Sequence, residues 1–172
     1  LEKRLGERGI RRMATLYHWD LPQHLQDRGG WLNRDTAYRF ADYADLISRE
    51  LSGRIDAYAT LNEPWCSAWL GYGDGHHAPG LAQPRYATQA MHHLLLAHGL
   101  ALAPLKANDP KAQRGIVANV GRGSTDTELP ADQHAARMHA DVSREPLERL
   151  REREQLPDFL LLLLPLREQR LH

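Results

Sequence analysis

Few side chains in this sequence stand where they could do chemistry together. Glu63 follows Asn62 directly and is followed at once by Pro64 and Trp65. His18 and Trp19 close one run, Ala14–Trp19; Asn62 closes a second, Ile55–Asn62; Asn119 lies in a third, Gly115–Val120. The set offers a carboxyl group for proton transfer, amides and an imidazole for hydrogen bonding, and indole faces for apolar C–H groups. An isolated glutamate is more often a solvated loop residue than a pocket group. A carboxylate at the end of a buried strand, followed by Pro64 and Trp65, can instead face a pocket.

Whether these residues converge depends on the elements that carry them. Ala14–Trp19 is short and β-prone and reads as a buried strand. Asp35 can cap a helix running to about Leu51, since Ala37, Phe40, Ala41, Ala44, Ile47 and Leu51 follow helical spacing and Gly53 offers a stop. Ile55–Asn62 reads as a second strand, followed by a long glycine-rich loop from Trp69 to Pro84. A helix is expected from about Tyr86 to Ala107, with Leu94, Leu95, Leu102 and Leu105 among its apolar positions and Pro110 past its end. Gly115–Val120 is the third strand. Alternation of this kind implies parallel strands joined by helical crossovers and buried on both faces. Periodicity fits a doubly wound sheet and a slice of a (β/α)8 barrel equally. In both, ligands bind at the C-terminal edge of the strands, where His18, Trp19, Asn62 and Glu63 would lie.

Three segments carry a resemblance. Tyr17-His18-Trp19-Asp20-Leu21-Pro22-Gln23, Thr60-Leu61-Asn62-Glu63-Pro64-Trp65, and Gly71-Tyr72-Gly73 with His77-Ala78-Pro79-Gly80 resemble signatures of glycoside hydrolase family 1, in family order and at family spacing. The resemblance covers roughly residues 10 to 140. It implies an α/β fold, a partial (β/α)8 TIM barrel whose third, fourth and fifth strands are the three runs above. It implies hydrolysis of β-linked glucosides with retention, by an enzyme of the β-glucosidase kind that needs no cofactor. Glu63 matches the family's general acid/base, and Asn62 the asparagine that bonds the sugar 2-hydroxyl. His18 and Trp19 match residues that contact the glycone. Trp65 sits where the family often has an aglycone platform. Asn119 joins the substrate-binding set from its place in the third run, not from the resemblance. The roles make physical sense: a partly desolvated carboxylic acid keeps a proton near neutral pH for a leaving-group oxygen. An amide bond to the 2-hydroxyl strengthens in an oxocarbenium-like transition state.

The resemblance also implies a nucleophile. A retaining glycosidase places a second carboxylate roughly 5 to 5.5 Å from the first. In the family that residue lies on a late strand in a Thr-Glu-Asn-Gly type context, and this sequence contains no such segment. Glu128, Glu145, Glu148, Glu152, Glu154 and Glu168 stand in other contexts. The chain begins Leu1-Glu2-Lys3-Arg4, without an initiator methionine or the apolar run of a signal peptide, as expected of a fragment. From Val142 the composition turns Arg/Glu-rich and then leucine-rich. The expected division is therefore 1–141 as a partial barrel and 142–172 as a divergent helical tail. A change of reading frame near the junction would account for the shift, and would leave the family's downstream sequence in another frame of the source DNA. Two functional readings stay open: a β-glucosidase-type enzyme, and a non-catalytic fragment with residual sugar binding or purely structural character. Three strands of an eight-stranded barrel leave two open edges, so self-association is expected.

Composition narrows the alternatives. The charges balance at 22 basic and 22 acidic residues, which gives no electrostatic footprint for nucleic acid or an anionic membrane. The longest apolar run, Phe159 to Leu164, is far short of the roughly 20 residues that span a bilayer. All aromatics but Phe159 fall between Tyr17 and Tyr86, so an aromatic core belongs to the first half. Cys66, the single cysteine, has no internal disulfide partner, in keeping with a cytoplasmic location, and reads as a packed thiol. Ten histidines invite a metal reading, but His76-His77 and His92-His93 are adjacent pairs whose side chains diverge. His93 and His98, like His134 and His139, are spaced too poorly for one helical face, so no metal site is expected. The glycines at 71, 73 and 75 lack the Gly-Lys-Ser/Thr ending of a phosphate cradle.

Overall fold

A computed structural model describes residues 2–119 and 129–134. Two compact units divide them: 2–118 carry the sheet, and the second holds Asn119 and a helical turn over 130–134. The expected tail, 142–172, lies outside the described residues.

The first unit runs helix α1 (Glu2–Gly6), strand β1 (Met13–Tyr17), a short helix α2 (Gln23–Gln26), a 3-10 turn (Gly30–Leu32) and helix α3 (Asp35–Glu50). Strand β2 (Ala57–Asn62), a π-helical segment (Cys66–Gly73), helix α4 (Pro84–Asn108) and strand β3 (Gln113–Val117) complete it. All three strands are parallel, in the order β1-β2-β3. Sequential order with right-handed crossovers puts both crossover helices on one face of the sheet. Accordingly α3 packs along α4, and α4 lies against β2 and β3.

The helix pair is built on small side chains. Ala37 and Ala44 of α3 are fully buried, as are Ala87, Ala90, Ala97 and Ala101 of α4. Such residues let helix axes approach closely. At the far end Asn108 Nδ2 donates to Asp45 Oδ1 (2.8 Å) and to Ser48 Oγ (3.0 Å), which fixes the pair lengthwise. β2 is buried without interruption from Ala57 to Leu61, as expected of a parallel strand covered on both sides.

Three expectations need correction. Asp35 does not cap α3: it is the first helical residue, and Asn33 Oδ1 accepts its N–H (2.9 Å), as Asx turns do. The stretch from Trp69 is not all loop, because Cys66–Gly73 is helical. β3 ends at Val117, so Asn119 lies two residues past the strand and in the second unit.

Candidate active site

The C-terminal ends of β1 and β2 are the conformationally unusual part of the first unit. Among the described residues only three non-glycine residues take positive φ, and two of them stand here: Trp19 (φ 74°) and Glu63 (φ 43°). That region costs an L-residue about 1–3 kcal/mol and persists only where the surroundings enforce it. The surroundings of Glu63 do so from three sides. Its N–H donates across to Val117 O of β3 (2.8 Å), and its carbonyl accepts from Cys66 N (2.8 Å). The Cys66 thiol in turn donates to Glu63 Oε2 (3.4 Å).

A register irregularity explains why the strand delivers Glu63 at this spot. β2 pairs with β3 through Ala59–Gly115 and then Asn62–Val117, three steps along β2 against two along β3. The extra residue is a bulge, a device that re-aims side chains next to functional sites. Asn62 and Glu63 follow it immediately. The chain then enters the π-helical turn from Cys66, another irregularity associated with function. Gly71 is required in that turn, since a Cβ there would stand 2.6 Å from Ala78 O.

Trp19 links the two strand ends. Its Nε1 donates to the Asn62 carbonyl (2.9 Å), and its ring lies 5.3 Å from His18 at 80° and 5.2 Å from His77. His18 is exposed, with its backbone N–H on Asp20 Oδ1 (3.0 Å). The His18 imidazole, the Asn62 amide and Glu63 Oε1 make no hydrogen bond among the described residues, so all three are available to a ligand. Trp65 stacks on Trp69 with centroids 6.1 Å apart and planes 4° from parallel, and its buried Nε1 has no acceptor among the described residues. His18, Trp19, Asn62, Glu63 and Trp65 therefore lie along adjacent strand ends, and Asn119 belongs to the second unit.

Beneath the rim lies a polar network that the sequence did not announce. Trp31 Nε1 donates to the Tyr17 hydroxyl (3.0 Å), and Trp31 N donates to the Tyr72 hydroxyl (2.9 Å). Tyr72 then donates to Gln26 Oε1 (3.0 Å), and the His93 imidazole meets Trp31 O (2.8 Å). Burial pushes the Tyr72 phenol up to about 12, so it remains a donor. Burial likewise pushes His98 down to about 4, and its neutral ring meets Thr60 Oγ1 at 2.7 Å under β2. Tyr17 and Tyr72 belong to the recognised segments. Trp31, His93 and His98 carried no sequence signal, because their partners lie 14 to 62 residues away. Among the described residues no group of three or more His, Cys, Asp or Glu could hold a metal ion, and no helix is long and apolar enough to cross a membrane.

Known proteins complete the picture. The family described as Glycosyl hydrolase family 1 matches residues 1–147. The chain is 45% identical over 146 residues to a bifunctional β-D-glucosidase/β-D-fucosidase of Bifidobacterium breve, covering 80% of this chain and 32% of that protein. It is similar in structure to the AHE enzyme from Alicyclobacillus herbarius, with a TM-score of 0.81 and 50% identity, over 84% of this chain and 33% of that one. A family 1 β-glucosidase from Thermotoga maritima in complex with isofagomine lactam gives a TM-score of 0.79 at 37% identity, over 83% of this chain and 32% of that one. The chain spans about a third of the length of the curated relatives it matches. These likenesses decide between the two folds that periodicity allowed: β1, β2 and β3 are part of a (β/α)8 barrel. With the matched residues, the bulged strand end and the fold in agreement, the chain belongs to glycosyl hydrolase family 1.

Proposed function

We propose that this chain forms the acid/base part of a β-glucosidase-type active site, acting on β-linked glucosides or oligosaccharides. The observation that carries the reading is the pair of positive-φ residues, Trp19 and Glu63, at adjacent strand ends and coupled through the Trp19–Asn62 hydrogen bond. Strain of this sort is retained where geometry matters more than stability. In the proposed reaction Glu63 gives its proton to the glycosidic oxygen as the C–O bond to the leaving group breaks. The resulting carboxylate takes a proton from water in the second, hydrolytic step of a retaining mechanism. Cys66 holds Oε2 and leaves Oε1 open towards substrate. Asn62 serves the 2-hydroxyl, His18 and Trp19 the glycone, and Trp65 the aglycone. Asn119 is assigned to substrate binding only from its place in the third run, Gly115–Val120.

The nucleophile must come from a segment of the Thr-Glu-Asn-Gly type, which is not in this sequence. That observation favours the second reading, sugar binding without turnover, for the chain taken alone. Self-association through β1 and β3, the outer strands of the described sheet, is part of the proposal. So is a cytoplasmic location, in keeping with a sequence whose single cysteine, Cys66, has no second cysteine to form a disulfide with. Release of an aryl leaving group from an aryl β-glucoside tests the reading. Turnover that Glu63→Gln removes supports the enzyme, turnover that survives the change overturns the assignment, and no turnover with measurable glucose binding supports the second reading.

A further inference from the structure

Thr60 and His98 are fully buried polar residues that the proposed chemistry leaves unused. They meet where β2 departs from regular pairing. β2 and β3 pair at Ala59–Gly115 and next at Asn62–Val117, so β2 carries one extra residue between those points. A bulge interrupts the ladder, and the buried backbone groups beside it need other partners. Gly115 O has one, because Thr60 Oγ1 donates to it at 3.1 Å. Bonding to β3 then resumes at the Glu63 N–H, which donates to Val117 O (2.8 Å).

The direction of the next contact follows from proton counting. A threonine hydroxyl has a single proton, and Thr60 uses it on Gly115 O. Its 2.7 Å contact with His98 Nδ1 therefore runs the other way, from Nδ1–H to the hydroxyl oxygen. Burial pushes the imidazole down to about 4, so near neutral pH the ring carries one proton, and this contact places it on Nδ1. His98 belongs to α4, where Ala97 and Ala101 beside it are fully buried and the helix packs against both β2 and β3. The helix anchors the imidazole, the imidazole orients the hydroxyl, and the hydroxyl holds the β3 carbonyl opposite the bulge.

We infer that Thr60 and His98 are positioning residues for Glu63, holding the bulge that sets where Glu63 leaves the strand. The inference deepens the acid/base reading of Glu63 and rests on it. A buried pair that merely satisfied its own polar atoms would act on the stability of the whole sheet. A positioning pair acts on one end of it, where Asn62 and Glu63 follow the bulge.

Hydrogen exchange in the 15N-labelled full chain separates the two roles. The quantity read is the exchange rate of the Glu63 amide relative to that of the Gln113 amide, which bonds Asp56 O at the opposite end of the β2–β3 pair (3.0 Å). Thr60→Val keeps the branched shape and removes the hydroxyl, and the ratio rises about tenfold, the size of one lost buried hydrogen bond. Thr60→Ser keeps the hydroxyl and holds the ratio within about twofold of the unsubstituted chain. Ser48→Ala, which removes a buried hydroxyl of α3, leaves the ratio unchanged. If Thr60→Val does not fold, His98→Leu takes its place, removing the anchor and raising the ratio. Imidazole 15N shifts of the unsubstituted chain show His98 protonated at Nδ1. An unmoved ratio in Thr60→Val, an equal rise in Thr60→Ser or Ser48→Ala, or a neutral His98 protonated at Nε2 would each overturn the inference. None of these readouts needs turnover. Turnover that survived Glu63→Gln would remove the acid/base assignment and leave the exchange result in place.

Discussion

The two rims of the sheet solve opposite problems. At the N-terminal rim, Arg12 grips Asp56 three times: backbone N to Oδ2 (2.7 Å), Nε to Oδ2 (2.9 Å) and Nη2 to Oδ1 (3.3 Å). Gln113 N adds a bond to Asp56 O (3.0 Å), so one residue ties together the entries of all three strands. The Arg12 side-chain and backbone hydrogen bonds hold the Asp56 carboxyl below the usual carboxylate range. Where the chain needs positive φ on approach to β1 and β2, it uses glycine: Gly9 (67°) and Gly53 (71°). At the C-terminal rim it uses Trp19 and Glu63 instead. Glycine meets that conformation without a steric penalty. Keeping a tryptophan and a glutamate there sacrifices stability for a fixed side chain. In parallel barrels the bottom face serves stability and the top face chemistry, and the contrast between the two rims is in keeping with the proposed site.

The sharpest way to break that comparison is Glu63→Gln. Turnover of an aryl β-glucoside, where the chain supports it, falls about 10²–10⁴-fold, the usual share of general acid/base catalysis. The midpoint of thermal unfolding stays where it was. A drop in both would mean that Glu63 also serves structure.

Acid titration asks which buried group governs stability below neutral pH. His98 has a folded-state value of about 4 against an ordinary 6.5, so the unfolded chain binds the proton first as pH falls. Its contribution is complete above pH 6.5 and is lost progressively between 6.5 and about 4. The loss amounts to about 3 kcal/mol of unfolding free energy. His98→Gln flattens the slope in that window, whereas Asp56 acts only at lower pH. A slope unchanged by His98→Gln would assign acid sensitivity elsewhere.

Smaller effects refine the picture of the upper rim. Gly71→Ala forces a Cβ against the Ala78 carbonyl, which is backbone and cannot swing away. A loss of about 1–3 kcal/mol is expected in chemical denaturation, the usual range for overpacking. Glu63→Gly tests the strain itself. It removes the carboxyl and any turnover, yet stability holds or rises by up to about 1 kcal/mol, because glycine adopts φ 43° freely. A clear loss of stability would show that the carboxyl's contact with Cys66 outweighs the backbone strain.

Local pattern recovered the crossover architecture well. The expected helix 35–51 is observed as Asp35–Glu50, and the expected helix 86–107 as Pro84–Asn108. The second strand shortens only from Ile55 to Ala57, because its apolar run is continuous and its end is fixed by Asn62. The third strand shifts two to three residues towards its N-terminus, since Gln113 and Arg114 pair with Ala57 and Tyr58 despite their polarity. Partner strands supply hydrogen bonds that a propensity reading does not see. The glycine-rich stretch from Trp69 misled for a related reason. Gly71 and Gly73 suggest a loop, but they are there so that the π-helical turn can pack against Ala78 and Ala87.

The sequence by itself determined the alternation of strand and helix, and it placed His18, Trp19, Asn62 and Glu63 at strand ends. Both are local properties, set by side-chain periodicity and by the short segments that carry the family resemblance. Only the tertiary structure decided the conformation of Trp19 and Glu63, the bulge opposite Gly115–Val117, the Cys66 contact and the network around Trp31. Each depends on an atom contributed by a distant part of the chain. Asn119 shows the same limit from the other side. Its position near a predicted strand end was legible, but its place in the second unit was not, because unit membership is a sum of contacts that no single residue specifies.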